Sequence, residues 1–201
     1  MPLKVRTIDI FVSSPEDVQK ERSLVERVIR SVAAESGVPV TVNYSNWLRK
    51  LNVSDKIPAQ IGTVSDEGRT WLRPCFWEYQ GSRADHEYQE QIPNTGSYDL
   101  VICILWSQLG AKLSPAFIMP DGATPKHATE YEIAWVLDQI NRTPGFPELR
   151  VYRNRSTPHA PVQPRSQRET FFRDWDAVQD FFANWEKKPE FANACSDYLD
   201  L

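Results

Sequence analysis

The chain is short of glycine and cysteine: eight glycines and three cysteines in 201 residues. Neither a G-x-G-x-x-G run nor a G-x-x-x-x-G-K-[ST] run occurs, so a nucleotide would have to bind through strand-end loops rather than a glycine-rich phosphate cradle. Cys75, Cys103 and Cys195 are widely spaced and form no metal-ligand pair. An odd count without secretory context excludes a disulfide scaffold and fits a reducing compartment. His86, His127 and His159 show no metal spacing with one another or with cysteine, so no metal site is expected. Long apolar runs are missing too. Lys4, Arg6 and Asp9 interrupt the N-terminal segment, which leaves no signal core, and no run approaches membrane-spanning length. A cytoplasmic location is therefore expected. An excess of positive charge is also missing. The formal net charge is −4 and basic residues are not clustered, so there is no footprint for nucleic acid or an anionic membrane. Lys187-Lys188 reads as a solvated pair, and no Ser/His/Asp or Cys/His arrangement emerges from spacing.

What is present is an ordinary globular balance, 41% hydrophobic and 25% charged, enough for one well-packed domain with some decoration. Val5 to Val12 reads as a first strand, and Ser13-Ser14-Pro15-Glu16-Asp17 as the start of a helix. That helix carries Val18, Leu24, Val25, Val28, Ile29 and Val32 at three- and four-residue spacing, which predicts one buried face. Gly37 and Pro39 stop it, and Val38 to Asn43 reads as a second strand. Residues 46–74 form an insertion or long loop, Pro74 to Tyr79 a short extended piece, and Asp85 to Ile92 a short helix. Asp99 to Trp106 is the clearest strand, apolar on both alternating faces as a central strand should be. Ser114 to Lys126 is loop. Thr129 to Ile140 is an amphipathic helix with Ile133, Val136, Leu137 and Ile140 on one stripe, and Leu149 to Tyr152 is the last strand. Strands alternating with helices predict a mostly parallel five-stranded α/β sheet with helices on both faces. The expected organisation is an α/β domain over 1–154, a Pro-rich linker over 155–167, and a C-terminal extension over 168–201. In that extension Phe171, Trp175, Val178, Phe181, Phe182 and Trp185 recur at helical spacing as core aromatics.

Two acids at the start of the Thr129–Ile140 helix have different readings. Thr129 and Glu132 stand in the Ser/Thr-x-x-Glu relation of a capping box, which would make Glu132 a helix cap. Glu130 falls at the edge of the Ile133–Leu137 stripe, either facing a crevice or standing as a solvated first-turn acid favoured by the helix terminus. Ser13 and Ser14, at the carboxyl end of strand one, can hold a phosphate or ribose oxygen or simply cap the helix. Trp106 and Ser107 end the central strand at the same edge. Trp106 is a ring platform or a residue packed under a loop, and Trp77 closes another extended piece nearby.

Ile10-Phe11-Val12-Ser13-Ser14-Pro15-Glu16-Asp17 with Glu21-Arg22, Gln91-Ile92 before Tyr98-Asp99-Leu100-Val101-Ile102, Trp106 and Gly110, and Thr129-Glu130-Tyr131-Glu132-Ile133-Ala134 together resemble the TIR-like domains found at the N-termini of bacterial STAND-type NTPases and related immune signalling proteins. The likeness covers roughly Lys4 to Arg153. It implies a flavodoxin-like sheet with its ligand crevice at the carboxyl ends of the strands. The wider TIR group includes NAD+ glycohydrolases and cyclases as well as non-enzymatic adaptors. In its catalytic members a Glu of this helix contacts the ribose of NAD+, with a small residue four positions on. Glu130 with Ala134 reproduces that relation, and Glu132 is the reserve candidate.

The resemblance implies an effector domain of a defence or signalling protein that cleaves the nicotinamide–ribose bond of NAD+. NAD+ would be substrate, with no resident cofactor. Glu130 would be catalytic, and Ser13, Ser14, Trp106, Ser107 and Trp77 would bind substrate. It also implies self-association and further domains in a longer chain. Two alternatives stay open: a non-catalytic module passing a signal by homotypic contact, and another nucleotide or nucleoside N-glycosidase. The 46–74 and 114–126 segments depart from a compact TIR domain and bear on whether a nucleotide site is open.

Overall fold

The computed structural model describes residues 6–40, 70–76, 89, 92 and 94–199. Their strands form one sheet: β1 (Arg6–Ser13), β2 (Thr70–Phe76), β3 (Leu100–Leu105), β4 (Glu148–Asn154) and β5 (Cys195–Tyr198). The order is β2-β1-β3-β4-β5, every pair is parallel, and the arrangement is flavodoxin-like. The helices are α1 (Gln19–Glu35), α2 (Ala128–Arg142), α3 (Arg165–Trp185) and α4 (Pro189–Ala194). A parallel pair cannot be joined by a tight turn. The chain therefore crosses from β3 to β4 through α2 and from β4 to β5 through α3 and α4. None of the described helices is long and apolar enough to cross a membrane.

The register explains why β3 is apolar throughout. Phe11 pairs with Val101 and Ser13 with Cys103, so these four share a face with Leu105, Leu149 and Val151. That face packs on Ile133, Val136 and Leu137 of α2 and on Val178, Phe181, Phe182, Trp185 and Phe191 of α3 and α4. On the opposite face, Ile10, Val12 and Ile104 meet Val18, Ile29 and Phe76. Along β4 Leu149, Val151 and Arg153 are buried while Glu148, Arg150 and Tyr152 are exposed, and the second face is covered only at its end, at Asn154.

Several expectations change. The α1 stripe is split, because Ile29 and Ala33 are buried but Leu24, Val28 and Val32 are about half exposed. The helix touches the sheet along a narrower line than its apolar spacing implies. Val38–Asn43 is described only to Val40, which makes a single bridge to Leu72. The 46–74 segment is not loop to its end, since Thr70–Arg73 already belong to β2. Pro74 sits inside that strand without breaking it. The Leu72 amide donates to the Pro39 carbonyl, away from β1, and Pro74 two residues on faces the same way, so its missing N–H costs no bond to β1. Finally, the fifth strand is Cys195–Tyr198 at the far edge. Residues 46–69 and most of the expected Asp85–Ile92 helix lie outside the described residues. The aromatic helix begins at Arg165, directly after Pro164, and its Phe171 and Trp175 are half-buried rather than core.

Candidate active site

Ser13 is the last residue of β1, on the face that lies under α2, and its register partner is Cys103. The residue of α2 that meets it is Glu132. The Ser13 hydroxyl donates to Glu132 Oε2, and the Gln89 amide donates to Oε1 at 3.0 Å. The Thr95 hydroxyl holds the Glu132 backbone carbonyl at 2.7 Å. Gly96 makes that approach possible, because a Cβ there would lie 3.0 Å from the Trp135 carbonyl oxygen. Glu132 is only 4% exposed, and both side-chain partners are neutral. Burial pushes its carboxyl up to about 7, against the lowering effect of the Ser13 and Gln89 hydrogen bonds. The neighbouring Cys103 thiol is raised as well, first by burial and then by the Glu132 charge.

Glu132 lies on the wall of a cleft of about 700 Å3 at the carboxyl ends of β1 and β3. One wall is Ser14-Pro15-Glu16 after β1, and the other is Gly110 to Ser114 after β3. Gly110 adopts φ +81°, and a Cβ there would stand 3.3 Å from the Thr129 hydroxyl, so the loop turns tightly against the start of α2. The walls are braced from behind. Arg22, buried beneath the first wall, donates to the Ser14 hydroxyl (2.7 Å) and the Pro15 carbonyl (2.6 Å). The Ser107 amide and hydroxyl both donate to Asp17 (2.7 and 2.8 Å), tying the loop after β3 to the turn after β1. Burial raises the Asp17 pKa, and the Ser107 bonds oppose that shift.

The two helix acids exchange their expected places. The helix starts at Ala128 with His127 as cap, so Glu130 is its third residue and accepts a hydrogen bond from the Lys126 amide at 2.8 Å. The first amides are satisfied by the returning loop: Ala128 donates to the Ala111 carbonyl and Thr129 to the Leu109 carbonyl. The cap expected of Glu132 is thus made by Glu130, and Glu132 faces inward with Thr129, Ile133, Val136 and Leu137. Glu130 opens instead onto a separate cleft of about 600 Å3 between the start of α2 and α3. Neither Ser13 nor Trp106 is among the described residues that line that cleft.

Of the other expected substrate-binding residues, Ser14 lines the Glu132 cleft and Ser13 holds the carboxylate itself. Trp106 packs against the α1-side core and donates its indole N–H to the Ser156 carbonyl at 2.9 Å, the arrangement of a residue under a loop. Ser107 is buried and committed to Asp17. Trp77 lies outside the described residues. The site also holds Gln89, Arg22, Asp17 and Lys112, which the sequence pattern does not mark as substrate-binding residues. Of these, Asp17 and Arg22 carry a sequence signal, both lying in the strand-one motif. Among the described residues no cluster of His, Cys, Asp and Glu is arranged to hold a metal ion. The chain matches no protein-family profile, no curated protein and no solved structure.

Proposed function

We propose that the cleft binds NAD+ and that Glu132 stabilises the ribosyl cation as the nicotinamide–ribose bond breaks. One observation carries this reading: a buried carboxylate with only neutral partners lies on the wall of an open cleft at the carboxyl ends of the strands. Such a group gains most from a ligand that brings positive charge to it, because its own surroundings supply none. The N-ribosyl nicotinamide cation does so. On cleavage the bonding electrons leave with the ring nitrogen, nicotinamide departs as a neutral molecule, and the positive charge passes to the sugar beside the carboxylate. Water then adds to the anomeric carbon, and a carboxyl titrating near 7 is suited to receive its proton. Ser13 and Gln89 fix the carboxylate's orientation. The likeness of the strand-one and helix motifs to TIR-like effector domains supports the same substrate, with Glu132 in the role rather than Glu130.

The test is nicotinamide release from NAD+ by the full chain, concentrated or clustered on a scaffold. Release that is lost in Glu132→Gln and kept in Glu130→Gln is the expected result. No release from NAD+ or NADP+ under clustering defeats the proposal and favours a non-catalytic interaction module. One observation speaks for that second reading: Leu24, Val28 and Val32 form an exposed apolar row along α1.

A further inference from the structure

The Glu132 cleft does not end at its loop wall. A second cleft of about 440 Å3 adjoins it and shares Lys112 and Leu113 with it. Its charged lining is Lys112, Lys126, Arg173 and Asp174, three cations and one anion, in a chain whose net charge is −4. Arg173 donates to Asp174 at 3.3 Å, which offsets part of that charge and leaves the two lysines. His127 also lines the cleft, but burial lowers its pKa, so it stands there as a neutral imidazole. The cations are carried on fixed backbone. Lys112 and His127 form an antiparallel bridge, the Leu113 amide donates to the Lys126 carbonyl at 3.2 Å, and Arg173 projects from α3. Lys126 and Arg173 also border the Glu130 cleft, whose carboxylates are Glu130, Glu169, Asp176 and Asp180, so Lys112 is the cation that stands at the joint with the Glu132 cleft.

We propose that the Lys112–Lys126–Arg173 cleft is an anion subsite taking the phosphate groups of the nucleotide whose ribosyl bond lies at Glu132. The inference rests on the preceding reading for the identity of the nucleotide, but not for the subsite's existence. Two ammonium groups act as point charges for phosphate oxygens, and the guanidinium adds a planar pair of donors. The consequence is a substrate class: phosphate-bearing dinucleotides are taken, and the nucleoside that lacks the phosphates is held poorly.

Binding of ADP-ribose, which keeps the pyrophosphate and lacks nicotinamide, tests this on the full chain by titration calorimetry. Wild type is expected to bind it, and inorganic pyrophosphate to displace it. Lys112→Ala/Arg173→Ala should weaken it at least tenfold, as should Lys126→Glu, while Lys187→Ala at a remote surface position leaves it unchanged. All four positions are exposed, and matching circular dichroism melts confirm that the variants are folded. Absence of ADP-ribose binding, failure of pyrophosphate to compete, or equal affinity in wild type and the cleft variants overturns the subsite. If ADP-ribose binding depends on these residues and no nicotinamide is released from NAD+, the subsite stands and the cleavage reading falls.

Discussion

Glu130 and Glu132 are two residues apart in one helix and live in opposite surroundings. Glu130 closes the first turn of α2 by accepting from the Lys126 amide at a half-exposed position. Glu132, turned by about 200° of helix, is buried against β1, and its carboxylate is bonded by a hydroxyl and an amide. The first stabilises the helix it belongs to. The second is held in a place where its charge is costly, and the cleft beside it gives that cost a use. A carboxylate kept away from water and cations is a poor structural element and a good electrostatic one.

The comparison breaks most sharply in turnover. Glu132→Gln should reduce nicotinamide release by about 100-fold or more, the scale for losing one preorganised electrostatic group, whereas Glu130→Gln should change it less than about twofold, within the reach of a small shift in the cap. Equal losses in the two variants would erase the distinction.

Stability separates them next. The folded-state pKa of Glu132 is raised, so the native state holds its proton more tightly than the unfolded chain. Its contribution is fully present below the unfolded value of 4.5 and is lost as the pH climbs through about 7. The loss is on the order of 3 kcal/mol. Urea unfolding at pH 8 should therefore show Glu132→Gln more stable than wild type, with the gap closing toward pH 4.5. A variant less stable at both values would mean that the buried charge is compensated after all.

Ser13→Ala is a smaller perturbation. Its hydroxyl bond lowers the Glu132 pKa, so removing it should move the alkaline-going rise of activity to higher pH. The profile of kcat/KM against pH reads this, and an unmoved profile would remove Ser13 from the site. Smallest is Glu130→Ala, expected to cost about 1 kcal/mol as a lost helix-terminal bond, measured by the same urea titration.

The central strand, the Glu helix and the parallel architecture were legible because burial on two faces leaves a continuous apolar run and burial on one leaves a stripe. β5 was not, since Cys195-Ser196-Asp197-Tyr198 has no apolar pattern and is a strand only because α4 delivers it beside β4. In the site, Ser13 was legible from its place at the end of β1. Glu132 is harder to place from sequence, because residues three apart, Thr129 and Glu132, fit a capping box and a buried helical face equally well. The spacing of Glu132 to Ile133, Val136 and Leu137 was the better guide. Gln89 and Lys112 reach their clefts only through tertiary closure, which no local pattern reports.

The short, polar β5 has a consequence for how the molecule keeps to itself. Without it, β4 would present a seven-residue row of unpaired backbone donors and acceptors, a template on which another copy could lay a strand. β5 occupies that row from Val151 to Asn154 and offers outward only four residues, with Ser196 and Asp197 exposed. A charged side chain on so brief an edge resists extension by a neighbour. The segment least recognisable as a strand thus leaves the sheet a shorter and more polar edge than β4 alone would have.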